Sequence, residues 1–292
     1  MFQATLVAER IRVASGRTCE IVVIKTSGDR LQDMPLSEIG GKRLFVKEIE
    51  DALLKGDVDL AVHSSKDMPA VLPGGLDLGA VLEREDPRDA LVRPSSIGDR
   101  PSSIGDRLRI GTGSVRRVAQ LRARFPHASF ENVRGNLDTR LRKLDSGEYD
   151  LLVLAAAGLR RLGFGARISE SLSIDDCVPA PGQGIIAVEI RSDDAATREA
   201  VARIDDADAA ASLAAERSLV SALGGGCQMP IGGIAAPSGA SSLEMSALVS
   251  SLDGARVIRY KKVGSRNNPA GLGRDVAEEL LRQGAAEILR LT

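Results

Sequence analysis

Short aliphatic runs alternate with amphipathic helical patterns along the first two-thirds of the chain. Residues 20–24 and 57–63 carry the aliphatic runs and predict strands. Between them, apolar side chains recur at helical spacing over 41–55, and Gly56 is placed to end that helix. A strand that leads through a helix to the next strand is the unit of a parallel sheet.

The same alternation continues as far as residue 155. The predicted elements are, in order, 108–112, 115–125, 130–133, 137–144 and 149–155, of which the second and fourth are helices. Pro126 ends the first of these helices because proline cannot continue a helix. We therefore predict an α/β fold with a parallel sheet for this part of the chain.

The C-terminal part has a different pattern. A helix is predicted over 209–223, and a second over 274–283. Between them, residues 243–251 and 255–262 predict two strands joined by a hairpin turn at Leu252-Asp253-Gly254. This order of elements indicates a small, separate α+β domain.

The composition excludes several classes of protein. The chain has 292 residues, enough for two or three domains, and its 43% hydrophobic and 27% charged residues are those of a folded globular protein. Three cysteines without C-x-x-C spacing and two histidines give no disulfide framework, and we expect no metal site. The longest apolar run, 151–159, is too short to cross a bilayer, and we expect no signal segment at the start of the chain. We expect a cytoplasmic protein with no membrane partner.

Charge is spread unevenly along the sequence. The whole chain has a net charge of −1, yet residues 107–167 carry 13 positive and five negative side chains. This asymmetry predicts an anionic partner for that segment. Aromatic residues make up only 2% of the chain, and tryptophan is absent, which argues against a nucleic-acid partner that stacks its bases.

Polar and basic residues follow several predicted strands at the point where each strand ends. They form the stretches Ser64-Ser65-Lys66-Asp67, Thr112-Gly113-Ser114-Val115-Arg116-Arg117 and Arg134-Gly135-Asn136, with Arg140 one turn later. Ligands of open α/β sheets bind at this edge, where helix N-termini favour anions. Any one of these arginines is most simply a solvated residue. Together they predict a carboxylate or phosphate site, and the absence of a phosphate-loop or complete dinucleotide motif argues against a nucleotide.

Two further residues are candidates for chemistry. Asp67 beside Lys66 is either a local ion pair or a carboxylate that serves a cationic centre, and spacing alone does not decide. Cys227 follows three glycines, which free the backbone to bring a side chain close to a ligand, although a free cysteine is usually a small buried residue.

A seven-residue sequence occurs twice in tandem. Residues 94–100 and 101–107 are identical, and their Pro, Ser, Gly and Asp predict a loop. A binding loop and a tolerated surface insertion are both open, and we favour the insertion because lengthening a loop costs little free energy.

Taken together, these motifs resemble the porphobilinogen deaminase (hydroxymethylbilane synthase) family. The matching stretches, in the family's order, are residues 39–42, 44–48, 61–69, 83–90, 114–117, 134–136, 179–184 and 225–232. The resemblance implies two periplasmic-binding-protein-like (type II) α/β domains and a small C-terminal α+β domain. We expect domain 1 over 1–84 plus about 186–204, domain 2 over 88–180 and domain 3 over 207–292.

The resemblance also implies an activity and a cofactor. Members deaminate four porphobilinogen units and join them head to tail on a covalent dipyrromethane, then release hydroxymethylbilane for haem and chlorophyll biosynthesis. The cysteine that matches Cys227 carries this cofactor through a thioether, and Asp67 matches the catalytic aspartate. The positions implied to bind cofactor are Lys66, Ser114, Arg116, Arg117, Arg134 and Arg140. Those implied to bind substrate are Lys42, Phe45, Arg84 and Arg161. A monomer is expected.

One departure from the family lies at the start of the sequence. Members open with a strand and an Arg-x-Ser-Pro-Leu-Ala stretch, whereas this sequence begins at Met1-Phe2-Gln3, inside the helix that follows. We therefore expect an N-terminally truncated domain 1. A start codon placed too late and a truncated copy are both open, and so is the activity of this form.

Two other functions are weighed beside the enzyme. A non-catalytic two-lobed protein that binds a small carboxylate would use the same scaffold, with Cys227 as a structural residue. Nucleic-acid binding by the basic segment is the weaker alternative, because the sequence holds no docking motif.

Overall fold

The computed structural model of the chain describes residues 1–26, 46–95, 108–225 and 229–291. The helices within these ranges are α1 (Phe2–Ser15), α2 (Lys47–Lys55), α3 (Val115–Leu121), α4 (Leu137–Asp145), α5 (Ala156–Arg161), α6 (Ala195–Ala202), α7 (Ala207–Ala222), α8 (Pro269–Arg282) and α9 (Ala285–Arg290). The strands are β1 (Leu60–Ser64), β2 (Leu76–Val81), β3 (Asp89–Val92), β4 (Arg109–Gly111), β5 (Ser129–Glu131), β6 (Leu151–Ala155), β7 (Glu170–Ser171), β8 (Ile186–Arg191), β9 (Ile231–Pro237), β10 (Ser242–Ser250) and β11 (Val257–Ser265).

The first sheet is formed by segments that are far apart in the sequence. Strand β8 lies between β1 and β2 and is antiparallel to both, with Val62 opposite Val188. Val7 and Ile11 of α1 and Val201 of α6 pack on its aliphatic side chains. The chain thus leaves this sheet after β2 and returns to it at β8.

The second sheet has the order β5-β4-β6-β3-β7. Strands β5, β4 and β6 are parallel, as the alternating pattern predicts, while β3 and β7 are antiparallel to their neighbours. The short strand β6 is fully buried over Leu151–Leu154 because helices cover both faces of such a sheet. Helices α3, α4 and α5 each follow a strand of this sheet and begin at one edge of it.

The third sheet is the antiparallel meander β11-β10-β9, with α7, α8 and α9 against it. It confirms the small α+β domain and the hairpin at Leu252-Asp253-Gly254. The described structure is therefore an α/β fold with a C-terminal α+β part. No helix in the described ranges is both long and apolar enough to cross a bilayer.

A buried carboxylate joins the parts of the chain that surround the three sheets. Glu216 of α7 accepts hydrogen bonds from Arg84, from the backbone N–H of Gly182 and from that of Ala235, at 2.6, 2.6 and 2.7 Å. Arg84 and Gly182 lie on the two segments that connect the first and second sheets, and Ala235 lies on β9. One side chain with no exposed surface therefore fixes both connections to the C-terminal sheet.

The structure differs from the sequence pattern at residues 20–24. They form no strand, and Val22 and Val23 are 56% and 66% exposed. A strand needs a neighbour to accept its backbone hydrogen bonds, and no described strand lies beside this segment. The first sheet also contains only antiparallel pairs in the described chain, where the pattern predicts parallel ones.

Candidate functional site

The first part of the candidate site is the turn that follows β1. Residues Ser65–Asp67 form one turn of 3₁₀ helix, which leaves Asp67 exposed and Lys66 half-buried. The turn is held by the backbone bond from Ser65 to Ile185, at 3.0 Å. Gly182 packs so closely that an added Cβ would lie 2.8 Å from Ser65 Oγ. Asp67 and Lys66 therefore project from a rigid turn.

The second part of the candidate site is the first turn of α3. Arg116 and Arg117 lie there and are 4% and 7% exposed. Positive charge at a helix N-terminus opposes the helix dipole, so the sequence predicts a compensating anion. Asp89 of β3 is that anion: its carboxylate lies 2.8 Å from Arg116 Nη1 and 2.7 Å from Arg117 Nη2. The chain itself thus supplies one negative charge for these two positive ones, so the arginine pair keeps a net positive charge.

Asp89 is a residue that the motif search missed as a functional one. It has no exposed surface and also accepts a bond from Gln183 Nε2 at 2.9 Å and a weaker one from the Cys177 thiol at 3.3 Å. Burial would raise the pKa of Asp89, but Arg116 and Arg117 hold that pKa well below its usual value. The sequence offers one signal that could have identified Asp89: it lies within the stretch Glu83–Ala90, which matches the family.

Cys177 is the buried thiol of this network. Burial raises its pKa to about 12, so it stays protonated and donates to Asp89. A protonated, buried thiol is a poor nucleophile, so Cys177 acts as a structural residue of this network.

Two more arginines of the candidate site lie in or just after the turn between β5 of the second sheet and α4. Asn136 caps α4 by accepting the N–H of Thr139 at 2.9 Å, and Gly135 before it has a φ of 104° that favours glycine. This turn places Arg134 and Arg140, and Arg140 Nε donates to the Gly135 carbonyl at 2.8 Å. The Arg134 Nε is buried and has no hydrogen-bond partner in the described chain.

Charged groups of the turn after β1 interact with those of the second sheet. Lys66 interacts with Asp67, Arg117, Asp89 and Arg116, and its pKa is lowered by burial. Arg140 interacts with Arg117, Arg134 and Asp67, and burial followed by the two arginines lowers its pKa. Five cations therefore surround two carboxylates, and we call Lys66, Arg116, Arg117, Arg134 and Arg140 the cation cluster. Ser114 stands at the start of α3, although its side chain makes no capping bond.

The remaining predicted residues lie elsewhere. Arg84 is half-buried, and its guanidinium donates to Glu216, to the Gln183 carbonyl and to the Ala235 carbonyl. Arg161 donates to the Gly184 carbonyl at 2.6 Å and lines a cavity of about 280 Å³, together with Ser64, Lys66 and Gly158. Burial lowers the pKa of Arg161. Lys42, Phe45 and Cys227, and all but the first two residues of the tandem repeat, lie outside the described residues.

Two family models match the sequence. "Porphobilinogen deaminase, dipyromethane cofactor binding domain" matches residues 1–199, and "Porphobilinogen deaminase, C-terminal domain" matches residues 210–282. The chain is similar to the porphobilinogen deaminase of Syntrophobacter fumaroxidans, 48% identical over 274 residues that cover 94% of this chain and 88% of the relative. It is equally similar to that of Acidithiobacillus ferrooxidans, 48% identical over 282 residues, with 97% and 90% covered.

Solved structures give weaker similarity. The second substrate binding domain of a putative amino acid ABC transporter from Streptococcus pneumoniae aligns with 76% of this chain and 84% of its own, at 13% identity and a TM-score of 0.40. The VFT2 domain of Bordetella pertussis BvgS aligns with 70% of this chain and 76% of its own, at 16% identity and a TM-score of 0.39.

Proposed function

The chain belongs to the porphobilinogen deaminase family, a family of transferases in tetrapyrrole biosynthesis, and from this premise we propose how its residues carry out the reaction. The substrate is porphobilinogen, a small pyrrole that bears an acetate, a propionate and an aminomethyl group. The proposal concerns which groups hold the carboxylates, which group handles the ring N–H, and where the growing chain is attached.

The observation that carries the proposal is the excess of positive charge in the cation cluster. Five cations interact with Asp67 and Asp89, and Asp89 is already engaged by Arg116 and Arg117. The buried Arg134 Nε has no partner in the described chain, and a buried unpaired donor costs roughly 1–3 kcal/mol. Carboxylates of a bound pyrrole chain would neutralise this excess and accept that bond.

The same excess of positive charge supports the binding of a dipyrromethane cofactor. A dipyrromethane carries four carboxylates, so it fits a site that is rich in arginine and poor in acceptors. We assign its binding to Lys66, Ser114, Arg116, Arg117, Arg134 and Arg140, and its attachment through a thioether to Cys227. When bound, the group supplies the pyrrole carbon to which substrate units are joined.

Asp67 is the catalytic residue of the proposal. It is the exposed carboxylate among the cations, on a turn fixed by Gly182, and it faces Lys66 and Arg140. Its oxygens accept the N–H of a substrate ring and stabilise the positive charge that spreads onto that ring as ammonia leaves. A fixed turn keeps this carboxylate in place without reorganisation during each addition.

The substrate-binding residues divide into two groups in the proposal. Arg161 lines the cavity beside Lys66 and binds a substrate carboxylate there, and Lys42 and Phe45 remain proposed contacts. Arg84 donates to Glu216 and to two carbonyls, which places its guanidinium at the junction of the sheets, and it stays a proposed substrate contact. We also propose that the enzyme acts as a cytoplasmic monomer.

Replacing Asp67 by Asn tests the catalytic assignment. We expect kcat to fall roughly 10²- to 10³-fold, because a neutral amide cannot stabilise the developing charge, while KM changes little. Asp57→Asn, at an exposed position, is the control and retains wild-type kcat. The measurement is the rate of hydroxymethylbilane formation from porphobilinogen, and wild-type kcat in Asp67→Asn would contradict the role.

A further inference from the structure

Helix α3 carries two arginines of the cation cluster but has little local support. It is seven residues long, and Ser114 at its start makes no capping bond. Arg116 and Arg117 in its first turn oppose the helix dipole. Isolated helices of this length are not stable in water, so contacts from other elements must hold it.

The first such contact is made by Gln120, which is 6% exposed. Its Oε1 accepts the N–H of Val178 at 2.8 Å, and its Nε2 donates to the Val178 carbonyl at 3.1 Å. This pair of bonds fixes the orientation of the Gln120 amide, because its oxygen accepts from a backbone N–H and its nitrogen donates to a backbone carbonyl. Arg116 Nη1 donates to the same carbonyl at 2.6 Å. Val178 therefore holds both the helix and one of its arginines.

Val178 is itself held by the C-terminal sheet. It packs with Ile234 and Leu248, and a Cβ added to Gly232 would lie 2.9 Å from the Val178 Cβ. The carbonyl of Pro179 accepts the N–H of Gly233 at 2.9 Å. The bond from Arg259 to the Asp175 carbonyl, at 2.6 Å, ties β11 to the same segment.

The second contact is the turn between β10 and β11. Gly254 has a φ of 73°, and a Cβ added to it would lie 2.3 Å from the Ala119 carbonyl oxygen of α3. The turn thus rests directly on the helix backbone. Asp253 beside it interacts electrostatically with Arg122 at the end of the helix.

We propose that the C-terminal sheet positions Arg116 and Arg117, through the Gln120–Val178 bridge and the Gly254 turn. Gln120 and Gly254 are positioning residues in this proposal, since neither is placed in the binding site. The sheet begins at Ile231, four residues after Cys227. One element thus relates the attachment point of the cofactor to two of the arginines that hold its carboxylates. The proposal rests on the function proposed above.

The test compares two glycine substitutions in the C-terminal domain. Gly254→Ala places a methyl group against the Ala119 carbonyl, whereas Gly284→Ala, with φ of 101° and no atom closer than 3.8 Å, adds similar backbone strain without a clash. Turnover is measured per chain that carries the covalent group, counted by intact mass. We expect Gly254→Ala to lower kcat roughly 10- to 100-fold with KM within about twofold, because misplaced charges slow each addition. Gly284→Ala retains kcat within about twofold.

Gln120→Met gives an independent reading. It keeps the side-chain volume, removes the bridge to Val178, and is expected to lower kcat per loaded chain in the same way. A purely structural role would lower the melting temperature and the folded fraction but leave turnover per loaded chain unchanged. Wild-type turnover in both Gly254→Ala and Gln120→Met would overturn the proposal, and if one of them does not fold, the other decides.

Arg117→Lys separates this proposal from the function on which it rests. Impaired loading or turnover in Arg117→Lys, together with wild-type behaviour of Gly254→Ala and Gln120→Met, refutes the positioning role alone. Wild-type loading and turnover in Arg117→Lys itself refutes the assignment of the arginine pair to the cofactor.

Discussion

At the scale of single residues, Asp89 is the buried partner of two arginines of the cation cluster. The sequence identifies Arg116 and Arg117 as candidates, because they follow a strand and begin a helix. It does not identify Asp89 as their partner, since that carboxylate comes from β3 and meets α3 only in the folded sheet. Strand ends and turn residues are local signals, whereas a buried ion pair depends on which strands become neighbours.

Asp89→Asn tests this arrangement. The variant leaves Arg116 and Arg117 buried beside a neutral amide, and we expect the free energy of unfolding to fall by about 3–5 kcal/mol. Denaturant unfolding measures the loss, with Asp57→Asn as an exposed control within about 0.5 kcal/mol of wild type. A loss as small as that of the control would show that Asp89 does not hold the pair.

Lys66 predicts a dependence of stability on pH. Burial lowers its pKa from the usual 10.5, so the folded chain releases this proton at a lower pH than the unfolded chain. Because the unfolded state binds more protons between the two pKa values, the stability contributed by Lys66 rises with pH in that window. Below the window the folded state bears the full desolvation cost of the Lys66 charge.

The measurement is denaturant unfolding between neutral pH and pH 10.5 in a Cys227→Ser background, which lacks the proposed covalent group. We expect the parent to gain stability relative to Lys66→Met as the pH rises. Lys55→Met, at an exposed lysine, provides the control with no such trend. A difference between the parent and Lys66→Met that stays constant with pH would contradict the burial of this charge.

At the scale of elements, the sequence predicts the strand–turn–helix units that position the site better than it predicts the sheets. Helices α2, α3 and α4 and strands β4 to β6 lie where the alternating pattern indicates. The pattern did not indicate β8, which pairs with strands from the opposite end of the chain, or the antiparallel arrangement of the first sheet. Periodicity reports which face of an element is buried, but it does not report which strand lies beside it.

Gly182→Ala tests the turn that carries Asp67. Gly182 has a φ of 76°. A Cβ added to it would lie 2.8 Å from Ser65 Oγ and 3.0 Å from the backbone nitrogen of Lys66. We expect kcat to fall at least roughly tenfold, because the methyl group displaces the turn. Gly16→Ala, with φ of 73° and open space around it, is the matched control and should keep wild-type kcat. Equal kcat values in the two variants would show that the turn tolerates displacement.

At the scale of the whole molecule, Glu216 joins segments that connect the three sheets, and the cation cluster draws its residues from the first and second of these sheets. The motifs in the sequence pointed to an anion site and, through the family resemblance, to a polycarboxylate pyrrole chain. The folded structure adds that Arg84 serves the junction and that Asp89 organises the arginine pair. Neither fact has a local signature, because each joins residues from distant parts of the chain.

The intact mass of the purified protein tests the central claim most directly. We expect a mass that exceeds that of the polypeptide by one dipyrromethane. This extra mass should be lost in Cys227→Ser and retained in Cys177→Ser, because burial raises the pKa of the Cys177 thiol to about 12 and leaves it a poor nucleophile. Brief incubation with porphobilinogen should add further mass in steps of one pyrrole unit. An unmodified chain that gains no mass with porphobilinogen would contradict the covalent attachment and the proposed function together.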